Sequence, residues 1–173
     1  MIVDAGVLVV DPDTGNPAIL YDGSNDFLRS ATSGLIVSTA YEAFMTYYSI
    51  SSEANGVLLS DSNGRYLGSI ENTSTSTEIG NMGTVSFRKN GSAETPSTRD
   101  DVHTLYHDSN LNLIGMYGTV GVNAIPNLQP YSYLGGTVFS ALCYGSEFIA
   151  YPSSQSANRT GIESNINTHY GIY

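Results

Sequence analysis

The stretch YEAFMTYYSI, residues 41–50, decides the fold class. Apolar side chains occupy both its odd and its even positions, so an extended chain here would be apolar on both faces. A strand of this kind lies inside a sheet that is covered on each side. The stretch therefore predicts a central strand of a buried sheet.

Short apolar segments joined by tight polar turns surround this central strand. Residues 2–22 predict a hairpin, and the segment from 56 to 70 predicts a second hairpin that turns at Asn63-Gly64. A further strand ends in another Asn-Gly pair, at residues 90–91. Asn-Gly pairs favour the positive φ angles that two-residue hairpin turns require. These signals indicate antiparallel strands.

The remaining segments extend the same pattern. Residues 71–83 are polar and predict a loop, whereas DVHTLYHD, residues 101–108, alternates and predicts a strand. LNLIGMYG, GGTVFSALCYG and EFIAYP each predict one more strand. Strands at such regular spacing are typical of an all-β protein, with two antiparallel sheets packed as a β-sandwich.

The C-terminal segment has a different period. Three apolar side chains recur four residues apart, namely Ile162, Ile166 and Tyr170. This spacing predicts one amphipathic helix that packs on the sandwich. Gly171 is expected to end the helix in the left-handed backbone conformation. Arg159 and Glu163 are also four apart, which predicts an ordinary ion pair on the helix surface.

Composition limits the function classes. The 173 residues carry a formal charge of −10 with Lys89 as the single lysine, which disfavours nucleic acid and anionic lipid. No apolar run is long enough to span a membrane. The lone cysteine, Cys143, lies in an apolar run and is expected to be a buried thiol. We expect a single domain over residues 1–173, as part of a larger protein or assembly.

Three segments resemble one superfamily. PAILYDGSNDFL looks like the opening strand-turn-strand of concanavalin A-like (laminin-G-like) jelly rolls, and AYEAFMTYYSI stands where those domains place a long central strand. GSEFIAYPSSQSANRTGIESNINTHYGIY is similar to their ending. The resemblance implies a two-sheet antiparallel jelly-roll sandwich with a short C-terminal helix.

Within that superfamily, the chain looks most like domains of phage tail and fibre proteins and of secreted glycan-binding proteins. Some of these are similar to the catalytic domain of arabinofuranosidase B. The resemblance implies a non-catalytic domain for display and glycan recognition on a virion surface or extracellular appendage, and a homotrimer by analogy. A glycoside hydrolase of arabinofuranosidase type and a purely structural virion protein remain as alternatives.

The polar cluster DGSND, residues 22–26, has two structural interpretations. Asp22 with its glycine can form the turn, while Asn25 and Asp26 bond the local backbone. Alternatively, the oxygens of Asp22, Asn25 and Asp26 hold a structural calcium ion, because hard cations bind clustered carboxylate and amide oxygens. No other cofactor is expected.

Glycoside hydrolysis requires two carboxyl groups that converge on one bond. No Glu-x-Asp pair lies on a convincing strand, and Glu42 and Glu147 are the candidates in strand context. Each is expected to face solvent or to pair with an arginine. The sequence therefore predicts a protein without enzymatic activity.

Carbohydrate binding requires aromatic faces for sugar C–H groups, flanked by amides and hydroxyls. The chain has 13 tyrosines and no tryptophan, and most tyrosines are expected to fill the sandwich. The residues predicted to contact surface glycans are Tyr106, His107, Asn127, Tyr131 and Tyr133.

Overall fold

The computed structural model describes residues 2–4, 7–10, 12–22, 27–29, 40–50, 55–61, 63–121, 129–131 and 142–173. Over these residues the chain is mostly β-strand, in antiparallel sheets, with two short helices, so the predicted all-β class is confirmed. The elements are β1 (Ile2–Asp4), β2 (Val7–Val10), β3 (Pro17–Asp22), β4 (Phe27–Arg29), β5 (Ala40–Ser49), β6 (Asn55–Ser60), β7 (Tyr66–Glu71), β8 (Gly83–Lys89), β9 (Ser92–Glu94), α1 (Arg99–Tyr106), β10 (Leu111–Val120), β11 (Gln129–Pro130), β12 (Leu142–Gly145), β13 (Phe148–Tyr151) and α2 (Arg159–Tyr170).

The largest sheet has eight strands and is built around β5. Its order is β2-β3-β12-β5-β10-β8-β9, and β13 pairs with β5 beside β12. Strands β6, β7 and β11 form a second sheet, and β1 pairs with β4. The prediction of a central strand at residues 41–50 is confirmed. The described strands do not establish a jelly-roll connectivity.

The predicted hairpin turns are present. Strands β6 and β7 pair in antiparallel fashion, and Gly64 between them has a φ of 74°. Asn90 and Gly91 join β8 to β9 with φ values of 51° and 80°, as a tight two-residue turn requires. The hairpin predicted over residues 2–22 is present only between β2 and β3, because β1 pairs with β4.

The first hydrophobic core lies between the large sheet and a layer made of the small sheet and α1. The odd positions of β5, from Tyr41 to Tyr47, are fully or almost fully buried in it. Leu59 of β6, Leu67 of β7 and Tyr106 of α1 pack in the same core. One face of the central strand is thus covered by both β-structure and helix.

The second core lies on the opposite face of the large sheet. Phe44 of β5, Leu113 of β10 and Ile166 of α2 are buried together there. The predicted terminal helix is confirmed with its apolar face against the sheet, and it ends at Gly171, which has a φ of 65°. Neither α2 nor α1 is long and apolar enough to cross a membrane.

The strand predicted at residues 101–108 is wrong, because these residues belong mostly to α1. The Thr98 hydroxyl accepts a hydrogen bond from the Asp101 backbone N–H at 3.1 Å, and the Asp101 carboxylate accepts one from the Thr98 N–H at 2.9 Å. This reciprocal pair is a capping box that satisfies two backbone donors at the helix start. Val102 and Tyr106, four residues apart, then bury one helix face.

Acid is expected to disrupt the start of α1. Hydrogen bonds from the Ser97 hydroxyl and from the backbone N–H groups of Ser97 and Thr98 lower the pKa of Asp101 from 3.8 to about 2. A carboxyl group with a lowered pKa stabilises the fold above its ordinary pKa, and this contribution is lost as pH falls towards 2. Amide NMR shifts of Ser97 and Thr98 should therefore titrate near pH 2 and should stop titrating in Asp101→Asn. A midpoint near 4 would contradict the capping geometry.

Candidate functional site

The predicted calcium ligands are not brought together by the described structure. Asp22 is the last residue of β3 and pairs with Leu142, and its side chain is not described. Asn25 and Asp26 lie outside the described residues. Among the side chains that are described, no group of three or more His, Cys, Asp or Glu residues could hold a metal ion. The calcium site remains a sequence-based expectation.

Two of the tyrosines predicted to contact glycans are buried in the first core. The Tyr106 hydroxyl donates to the Arg88 carbonyl at 3.3 Å, and the Tyr131 hydroxyl donates to the Thr46 carbonyl at 2.7 Å. Both rings are at most 2% exposed, so neither offers a face to a sugar. Asn127 and Tyr133 lie outside the described residues.

His107, the remaining predicted contact, ends α1 and enters a partly buried tyrosine–histidine cluster. Its Nδ1 lies 2.7 Å from the Ser49 hydroxyl, and its Nε2 lies 3.3 Å from the Tyr47 hydroxyl. The His103 ring stacks on it at 4.2 Å, and Tyr47 stacks on Tyr131 at 6.3 Å. Tyr47 thus links His107 to Tyr131, two of the residues predicted to contact glycans. These contacts belong to the packing of the protein and do not form a surface for a sugar.

This cluster is poorly suited to nucleophilic chemistry. Burial raises the pKa of the Tyr47 and Tyr131 hydroxyls well above the ordinary value. Burial also raises the pKa of the Cys143 thiol, so this sulfur stays protonated and inert, in agreement with its expected structural role. The cluster therefore has a structural role in the first core, and its geometry does not suggest a catalytic one.

Glu42, a candidate acid on the central strand, is committed to a buried ion pair. Both its oxygens accept from the Arg159 guanidinium, with one N···O distance of 3.1 Å, and Oε2 also accepts from the Gln155 backbone N–H at 2.8 Å. Hydrogen bonding to Glu42 raises the pKa of Arg159 above its ordinary value. The arginine also stacks 4.0 Å from the centroid of Tyr117.

Glu163 makes the equivalent contact from the helix. It accepts from Arg88 of β8 at 2.6 and 3.1 Å and is almost completely buried. The surface pair predicted between Arg159 and Glu163 is therefore wrong, because each residue pairs with a partner on the sheet. Both carboxylates are neutralised by arginine, so they do not form the acid–base pair of a glycosidase.

A groove of about 480 Å³ runs between α2 and β13. We call it the helix groove. Its apolar lining consists of Ala157 and of three isoleucines, Ile149, Ile162 and Ile166. Its remaining lining residues are Tyr151, Asn158, Asn165 and Gly161.

The polar groups of the helix groove are largely uncommitted within the described residues. The Asn158 amide nitrogen donates to the Gln155 side chain at 3.3 Å, and its oxygen has no described donor. Neither the Tyr151 hydroxyl nor the Asn165 amide bonds a described residue. The rings of Tyr151 and Phe44 are nearly perpendicular, at 6.3 Å between centroids. The groove therefore presents an aromatic ring, two amides and an apolar lining.

The spacing of three residues in the sequence indicates one wall of this groove, although the apolar stripe of α2 alone does not. Asn158, Gly161 and Asn165 are spaced i, i+3, i+7, which places them side by side on a helix. Their face lies next to the stripe of Ile162 and Ile166. The position of β13 beside them is set by tertiary packing, which helical spacing does not predict.

A family model described as Fascin domain matches residues 4–77 of the chain, which is less than half of its length. No curated protein and no solved structure matches the chain. The Fascin domain is non-enzymatic, which agrees with the prediction that this chain is not an enzyme.

The match corrects the resemblance to concanavalin A-like domains. The Fascin domain has a β-trefoil-like fold and not a jelly roll, so that resemblance is wrong. The segments that carried it are a hairpin strand, a central strand and a covering helix. A buried β-sheet covered on both faces needs such pieces whatever its family, because hydrophobic burial sets their patterns.

Proposed function

We propose that this chain is a non-catalytic recognition domain that binds glycans and is displayed on a virion surface or another extracellular appendage. The helix groove is the observation that carries the proposal. It combines an aromatic side chain with the Asn165 amide and the Asn158 amide oxygen, which no described residue engages, and sugar recognition requires this combination. Its volume is within the range of about 300–1,000 Å³ typical of ligand pockets.

The charges of the chain support a glycan partner over a phosphate-rich one. Wherever a lysine or arginine side chain is described, it pairs with a carboxylate; these are Arg65, Arg88, Lys89, Arg99 and Arg159. Cations that are already paired release few counterions on binding a polyanion. In a chain of charge −10, this disfavours nucleic acid.

The pairing of Glu42 and Glu163 with arginines supports a binding role without catalysis. A general acid or base must reach the proton that it transfers. Each of these carboxylates is instead buried and held by an arginine. Oligomerisation as a homotrimer is also part of the proposal, as a sequence-based expectation.

Glycan binding is directly measurable. The full chain, fluorescently labelled, should bind a subset of bacterial cell-surface oligosaccharides on a glycan array, with dissociation constants in the range that titration calorimetry resolves. The same chain should release no product from aryl-arabinoside substrates. Failure to bind any glycan would contradict the proposal and favour a purely structural virion protein.

A further inference from the structure

We infer that the helix groove takes a neutral sugar unit whose ring lies over Gly161; this inference rests on the proposed glycan-recognition function. The charged side chains near the start of α2 do not line the groove. Arg159 and Glu163 are turned to the sheet, where they pair with Glu42 and Arg88. The groove lining is consequently uncharged in a chain of charge −10.

Electrostatics select a neutral sugar over an acidic one. A uronic or sialic acid carboxylate would enter a groove without a cationic partner, on a protein whose net charge repels it. A neutral sugar ring incurs no such penalty. Its C–H face can rest on the isoleucines and on Tyr151, while its hydroxyls exchange hydrogen bonds with the amides of Asn158 and Asn165.

Gly161 lies on the exposed surface of α2, where it lines the groove. A methyl group at its Cα would meet no atom within 4 Å, so the position borders empty volume and not a packed neighbour. Glycine is among the poorest helix formers, whereas alanine is the best. Its presence on the groove side of α2 is explained if a ligand approaches the helix closely there.

The first test compares ligand classes. The full chain is applied to an array that carries neutral hexose oligosaccharides beside uronic-acid and sialic-acid oligosaccharides. Binding confined to neutral members is expected. Preferential binding of the acidic members would overturn the inferred ligand class and leave glycan recognition standing, whereas the absence of all binding would overturn both.

The second test fills the groove. The best neutral binder is titrated against the wild type, against Gly161→Leu and against Ser164→Leu, whose side chain is exposed on α2 away from the groove. We expect Gly161→Leu to weaken binding by about tenfold or more, and Ser164→Leu to bind within about twofold of wild type. Asn165→Ala should weaken binding by up to about tenfold, through the lost hydrogen bond.

Two outcomes would overturn the assignment to this groove. Unchanged affinity in Gly161→Leu would place the glycan elsewhere and leave the proposed function intact. A lower melting temperature for Gly161→Leu than for Ser164→Leu, together with retained binding, would show that another part of this chain fills the groove. Circular dichroism of each variant confirms that α2 is still formed.

Discussion

Replacing Glu42 with alanine is expected to lower the free energy of unfolding by about 3 kcal/mol. Removing one partner of a buried ion pair costs about 3–5 kcal/mol, because the other charge is left without compensation. The lower end applies here, since the Arg159 side chain keeps 16% of its surface exposed and retains some water. The variant also leaves the Gln155 backbone N–H without its acceptor. Urea denaturation followed by circular dichroism measures the difference.

Two controls separate the buried charge from other effects. The double variant Glu42→Ala/Arg159→Ala should recover part of the loss, because it leaves no unpaired guanidinium. Glu71→Ala breaks the more exposed pair with Arg99 and should cost at most about 1 kcal/mol. Equal losses for Glu42→Ala and Glu71→Ala would show that the buried pair has no special role.

Replacing Phe44 with alanine is expected to cost about 3–5 kcal/mol, the range for deleting a buried aromatic ring. Phe44 is fully buried and packs with Leu113 and Ile166, and its ring is nearly perpendicular to that of Tyr151. Its loss leaves a cavity directly beneath α2. The helix should therefore separate from the sheet more readily, which amide hydrogen exchange of α2 detects as faster exchange.

The neighbouring residue of β5 supplies a matched control. Met45 is also fully buried, but it packs in the first core on the other face of the sheet. Met45→Ala should cost about 2–5 kcal/mol, while exchange in α2 rises only in step with global unfolding. Phe44→Ala should in addition open α2 at a lower free energy than the rest of the fold. Identical exchange patterns in the two variants would contradict separate cores.

Some of the fold was predictable because the responsible interactions are local. The Asn-Gly pair at residues 90–91 specifies its turn through its own φ angles. The stripe of Ile162, Ile166 and Tyr170 specifies a helix with one buried face, and Gly171 ends it. The apolar faces of residues 41–50 required two covering layers, and the structure has both.

The strand predicted at residues 101–108 is wrong because the pattern of these residues is ambiguous. Eight residues allow both a period of two and a period near 3.6, so alternation did not separate strand from helix. The deciding signal lies just upstream, where Thr98 and Asp101 form the capping box. This helix-start signal favours a helix over a strand, whatever the periodicity of the residues that follow it.

The candidate site was less predictable than the fold. Tyr106 and Tyr131 are chemically suited to sugar contact, and only their burial removes them from it. The helix groove depends on β13 and α2 lying side by side. No sequence spacing links Tyr151 to Asn165 in a way that reveals this neighbourhood.

By itself, the sequence determined the all-β class, the central strand, the hairpin turns and the terminal helix. Each of these follows from side-chain periodicity and backbone preference over a few neighbouring residues. Only the tertiary structure decided that Arg159 pairs with Glu42 and Glu163 with Arg88. Partners 117 and 75 residues apart are chosen by how the layers pack, because a buried charge must find an opposite charge wherever the fold places one.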